Sequence, residues 1–221
     1  MLKDIVLSEL LQKYVKEETV EVNTMLTPFI EKNNITLLYA ESGVGKTVFM
    51  IEHLNKSGIV PLLIDFDGNK QSHFKPLGLN LKTHILDGEQ FMLDIFKNDN
   101  LRKDLQGYTI IIDTWRKLVE FYKTKTTNIT TEAEALKRLE SLLKYIPNLT
   151  IVIIAHANCF ANKEDMPDMD SEVYSHINGR LNIKKHTTTS KRTFTLFIDK
   201  VRGYTGDNII LLREESLKKN K

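Results

Sequence analysis

The chain has a single cysteine, Cys159, among its 221 residues. An intramolecular disulfide framework is excluded, and the thiol usage suits a reducing compartment. Charge of one sign is also lacking. The 31 basic and 29 acidic side chains leave a formal net charge of +2, so no overall basic field marks a nucleic-acid protein, and any such contact must come from local patches. Long hydrophobic runs are missing too: YTIIID and LTIVIIAHA are far too short to span a bilayer, and the first residues carry no apolar core of a secretory leader. The expectation is a cytoplasmic protein with no membrane partner. There is no internal repeat and no low-complexity block. At 41% hydrophobic and 27% charged residues the composition is that of a globular protein, and the length suits one α/β domain with a small extension.

What is present is alternation of short apolar runs with helical patterns. Residues 2–17 set Leu2, Val6, Leu10 and Tyr14 on one stripe with Leu11 and Val15 beside it, which predicts an amphipathic helix; residues 1–24 form this helix and a linker. ITLLYA, IVPLLIDFDGN, THILDG, YTIIIDT and LTIVIIAHA read as strands, ITLLYA a short continuous apolar run and LTIVIIAHA buried as parallel strands are. KTVFMIEHLNKSG, EQFMLDIFKND and TEAEALKRLESLLKYI read as helices between them. Such an order predicts an α/β fold with a mostly parallel central sheet and helices on both faces. After residue 180 the rhythm changes: RLNIKKHT, KRTFTLFIDKV and NIILLRE predict an antiparallel C-terminal extension of the same sheet. The main domain is expected over 25–213, with a polar basic tail at 214–221.

AESGVGKT, Ala40 to Thr47, lies between a predicted buried strand and a predicted helix. A phosphate-binding loop needs successive backbone N–H groups facing inward and a helix N-terminus behind them. Gly43 and Gly45 allow close backbone approach, Lys46 reaches the β and γ phosphates of a nucleotide, and Thr47 ligates Mg²⁺. The candidate nucleotide-binding set is Glu41, Ser42, Gly43, Val44, Gly45, Lys46, Thr47 and Val48. Ala40 stands where such loops open on glycine, a position open to a small side chain if φ stays negative. Asp113 ends YTIIID and supplies the carboxylate that such sites need for their metal, making Thr47 and Asp113 the metal pair. Asp65 and Asp67, two apart at the end of LLIDFD, lie on one side of the strand, and either carboxylate is placed to orient a water. A solvated turn explains Asp67 about as well.

Taken in order, AESGVGKT, LLIDFDG, TIIIDT, IVIIAHA and IDKVRGYTG resemble the RecA-like P-loop ATPase superfamily, closest to the RepA and DnaB-type ring helicase cores and the small RecA-like ATPases of phages and plasmids. The resemblance covers roughly residues 25–213. It implies ATP and Mg²⁺ as cofactors, Asp67 as the catalytic carboxylate, and His156 as a polar sensor of the γ-phosphate. It implies further that Lys200 and Arg202 reach a neighbouring subunit's ATP site in a ring or filament, as in a hexamer. Its activity would be ATP hydrolysis on single-stranded DNA, as a replicative helicase-like motor. Alternatives are a phage-type recombination or strand-annealing ATPase, or a nucleotide-dependent assembly or regulatory module without DNA activity.

The superfamily's DNA-contacting loops correspond here to FYKTKTTNITT, with Tyr122, Lys123 and Lys125, and to the segment after His156. The second is largely acidic, with Glu164, Asp165, Asp168, Asp170 and Glu172, and would repel phosphate over most of its length. Its end, His176, Asn178 and Arg180, and the cations Lys184, Lys185, Lys191 and Arg192 of the following hairpin are better suited. His156 and Cys159 lack the further ligands of a zinc site. Trp115 is expected to pack at a helix start.

Overall fold

The two longest apolar runs lie side by side in the middle of one sheet. The computed structural model describes residues 25–27, 29–68, 81–126, 128–158, 166–188, 191–201 and 207–216; the expected helix at 2–17, Cys159 and Arg202 lie outside them. Strands β1 (Met25–Thr27) and β2 (Ile30–Glu31) make a small antiparallel pair. The main sheet uses β3 (Ile35–Ala40), β4 (Leu62–Asp65), β5 (His84–Asp87), β6 (Thr109–Asp113), β7 (Thr150–Asn158), β9 (Gly179–Thr187), β10 (Lys191–Lys200) and β11 (Ile209–Ser216). Their order is β11, β10, β9, β3, β7, β6, β4, β5, with the short β8 (Met166–Pro167) beside β7. Neighbours from β9 to β5 run parallel, and β10 and β11 are the antiparallel extension.

Alternation along the strands fills both faces. Leu37, Tyr39, Ile110, Ile112, Ile151 and Ile153 pack under α4 (Trp115–Lys125) and α5 (Glu132–Tyr145), whereas Leu38, Ala40, Ile111, Val152 and Ile154 pack under α1 (Lys46–Lys56). Each such aliphatic side chain, withdrawn from water, contributes on the order of 1.5–3 kcal/mol. The expected helix EQFMLDIFKND is helical only to Asp94; the chain then turns, and Asn98, accepting from the amides of Asn100 and Leu101, starts a second short helix that runs beyond that segment. The two helices are α2 (Gly88–Asp94) and α3 (Asp99–Asp104). β11 continues to Ser216, into the stretch expected as a tail.

FYKTKTTNITT is not a loop throughout. α4 runs to Lys125 and Tyr122 is 1% exposed, so an aromatic expected beside DNA is a core residue. The acidic residues after β7 hold structure together. Asp168 pairs with Arg116 at 2.9 Å, and Asp170 caps α6 (Ser171–His176) by accepting from the Glu172 amide. Glu132 accepts both from Trp115 Nε1 and from the Asp170 amide, tying the start of α4 to that segment. Trp115 is fully buried, as expected. A second polar tie crosses the sheet: Tyr39 on β3 and Tyr174 on α6 both donate to Asp199 on β10.

Candidate nucleotide site

β3, buried on both faces, delivers the chain at Ala40 to a turn in which Gly43 (φ 74°) and Gly45 (φ 89°) take the left-handed conformation. A Cβ at either would cost roughly 1–2 kcal/mol. Ala40 keeps a negative φ and is 1% exposed, so a small side chain suffices where glycine was expected. Gly45 caps α1, whose first turn holds no acidic residue, so the positive end of the helix dipole is left facing the loop.

Lys46 is 5% exposed. Its Nζ donates to the carbonyls of Ala40 at 3.1 Å and Glu41 at 3.0 Å, and lies 3.3 Å from His156 Nδ1. Parallel pairing explains the last contact, because Ala40 and His156 are register partners on β3 and β7. Burial lowers the Lys46 pKa, against the opposing pull of Asp113 and Asp67; burial first and then Lys46 hold His156 below its ordinary value. The lowered pKa favours the neutral imidazole, and in the tautomer protonated at Nε2 its Nδ1 accepts from Lys46 Nζ.

Thr47 Oγ1 donates to Asp113 Oδ2 at 2.6 Å. β7 stands between β3 and β6, so the contact is made by the loop crossing over the strand ends. A hydroxyl and a carboxylate are hard oxygen donors that suit Mg²⁺, which takes few protein ligands and fills its shell with water and phosphate oxygens. Among the described residues no cluster of three or more His, Cys, Asp or Glu is present.

Asp65 and Asp67 part company. Asp65 Oδ1 accepts from the Asp67 amide at 3.2 Å and shapes the turn, whereas the exposed Asp67 carboxylate bears electrostatically on both Lys46 and His156. Lys200 stands elsewhere. It pairs with Arg180, which is level with Leu37 on β3, about 10 Å down the sheet from Ala40 and the loop.

Sequence reading missed one feature. A cavity of about 540 Å³ adjoins Gly43 and Gly45, walled by Val48, Phe49 and His53 on one side and by Ile183, Phe194 and Leu212 of the antiparallel extension on the other. His53 is stacked between Phe29 and Phe49, at 5.1 and 5.6 Å between ring centroids. The inward alternation of Phe194, Leu196 and Ile198 on β10 was legible, but not which helix it would face.

No family model matches the chain, and no curated protein matches it. Solved structures do. A KaiC-like protein from the hyperthermophilic archaeon Pyrococcus horikoshii OT3 superposes with a TM-score of 0.55 at 13% identity, over 83% of this chain and 91% of that one. The RadB recombinase superposes with a TM-score of 0.58 at 16% identity, over 83% and 88%. The fold is RecA-like. At such identities the likeness concerns the fold alone, and a particular closeness to RepA or DnaB-type cores does not follow from it.

Proposed function

We propose that the chain is a Mg²⁺-dependent ATPase that self-associates as a ring or filament and works on single-stranded DNA. The observation that carries the ATPase reading is the constellation at the loop: a buried Lys46, glycines of positive φ before an uncompensated helix N-terminus, and Thr47 hydrogen-bonded to Asp113. In this reading the amides of Glu41 to Val48 cradle the phosphates and Lys46 leaves the Ala40 and Glu41 carbonyls to hold the β and γ oxygens. Thr47 and Asp113 hold Mg²⁺, which when bound neutralises charge developing on the phosphates. Asp67 orients the attacking water, and His156, touching Lys46, registers whether a γ-phosphate is present. The apolar cavity beside Phe49 and Leu212 takes the base. Its size is within the range of small-molecule sites.

Lys200 lies too far from its own loop to serve it, which supports a head-to-tail neighbour as the recipient of Lys200 and Arg202. Tyr122 is buried and Asp168 and Asp170 are engaged within the fold, which leaves the β9–β10 hairpin to meet the strand. ATP turnover with and without single-stranded DNA and Mg²⁺, on wild type and Lys46→Ala, separates the DNA-independent assembly role from the two DNA-active readings, and ATP-driven separation of a duplex then divides helicase-like motion from strand annealing or recombination. Stimulation by DNA is expected. Turnover indifferent to DNA would leave the assembly role, and turnover that survives Lys46→Ala would end the ATPase assignment.

A further inference from the structure

A second cavity, of about 420 Å³, opens on the other side of the loop, at the carboxyl ends of β3, β7 and β9. That is where open α/β sheets take ligands. Register sets Asn182 against Phe197 and Lys184 against Thr195, two residues apart on β9 and therefore on one face. Asn182 is 3% exposed, and its Oδ1 has no hydrogen-bond partner. The Lys184 ammonium stands 5.1 Å over the Phe197 ring, His186 is exposed on the same face of β9, and Lys185 lines the cavity from the opposite face. Against these two lysines the lining carries one acid, Glu41.

A fitting occupant brings an anion for the ammoniums, a flat ring for Phe197, and an N–H donor for Asn182 Oδ1. A nucleotide within a strand has all three: a phosphodiester, a base with a π face, and, on every base, an N–H that Asn182 meets after a turn about χ2. A cation presented by a neighbour would be repelled, and a bare polyanion would leave the ring and the amide oxygen unused.

We propose that this cavity seats one nucleotide of single-stranded DNA. The seat's walls belong to the ATP site as read above. Glu41 lies in the phosphate loop, and Ala157 follows His156, so an occupant here and a nucleotide on the loop share residues. The coupling part of the proposal rests on that ATP reading; the seat itself does not. Coupling of this kind is reciprocal, each ligand changing the other's affinity by the same factor.

The test is fluorescence anisotropy of the full chain with labelled oligo(dT) and with an abasic strand of equal length, beside a fluorescent ATP analogue in the same samples. Phe197→Leu is expected to weaken oligo(dT) about tenfold by loss of stacking. Lys184→Ala is expected to lower the slope of log affinity against log salt by about one, with analogue affinity in the absence of DNA unchanged. Equal binding of the abasic strand overturns the proposal, as does an affinity that neither substitution moves. If wild type binds the analogue but no oligo(dT), the seat is refuted while the ATP reading stands. Oligo(dT) binding with the expected losses but no analogue binding keeps the seat and refutes the ATP reading.

Discussion

Lys46 shows how little of a residue's chemistry its identity conveys. The glycine spacing placed it at the loop, but only packing shows that it is buried, bonded to two carbonyls and in contact with His156. Exchanging its two carbonyl bonds for charge-assisted bonds to phosphate is worth about 1.5–3 kcal/mol in all. Lys46→Ala should accordingly weaken ATP about ten- to a hundredfold in calorimetric titration, and an unchanged affinity would remove the lysine from the site. His156 yields a pH prediction. Its folded pKa is depressed below the ordinary 6.5, by burial first and Lys46 second. Above that value both folded and unfolded histidine are neutral; as pH falls below it, the unfolded chain takes up the proton first and stability is lost until the folded pKa is passed. Chemical denaturation of wild type and His156→Asn at pH 7.5 and 5.5 should show a smaller acid loss in the variant. His53, depressed in the same direction, is common to both and cancels. Equal losses would mean that His156 does not resist protonation.

The elements best read from sequence were those whose burial leaves no choice. β3, β6 and β7 are apolar on both faces and could only be central strands, and Thr131 with Glu134 forms the capping box that starts α5. What failed was composition at the end of α4. Lysines and threonines there read as a loop, yet Lys123 and Lys125 sit in the helix's last turn, where cations complement the dipole, while Tyr122 turns inward. Where α2 meets β4, a Cβ at Gly88 would lie 2.6 Å from the Asp65 carbonyl and 2.8 Å from the Phe66 ring. Gly88→Ala should cost about 1–3 kcal/mol in urea unfolding by overpacking, and should disturb the Asp65–Asp67 turn. A neutral substitution would mean that this junction is slack. The wall contributed by β11 has its own test. Leu212→Ala should weaken ATP about five- to thirtyfold through lost apolar contact and leave inorganic tripolyphosphate binding unchanged. If both weaken together, the cavity does not hold the base.

For the molecule as a whole, the change from parallel to antiparallel neighbours was legible in the chain's rhythm, because each crossover needs its helix and each hairpin its turn, whereas the order of the strands was not. Assembly was legible only through resemblance. It is testable by complementation: Lys46→Ala and Arg202→Ala, each inactive alone, should on mixing regain about a quarter of wild-type turnover, the share of randomly formed head-to-tail interfaces joining an intact loop to an intact cation. Mixtures as inactive as their components would confine both residues to one subunit. The tie of Tyr39 and Tyr174 to Asp199 has a consequence for how the sheet closes. A slip of β10 along β9 by two residues would keep Phe194, Leu196 and Ile198 on the inner face and restore the ladder of backbone bonds, so hydrophobic patterning does not forbid it. Asp199 does, because the slip would carry its carboxylate away from both hydroxyls. The two tyrosines act as a register lock for the edge of the sheet.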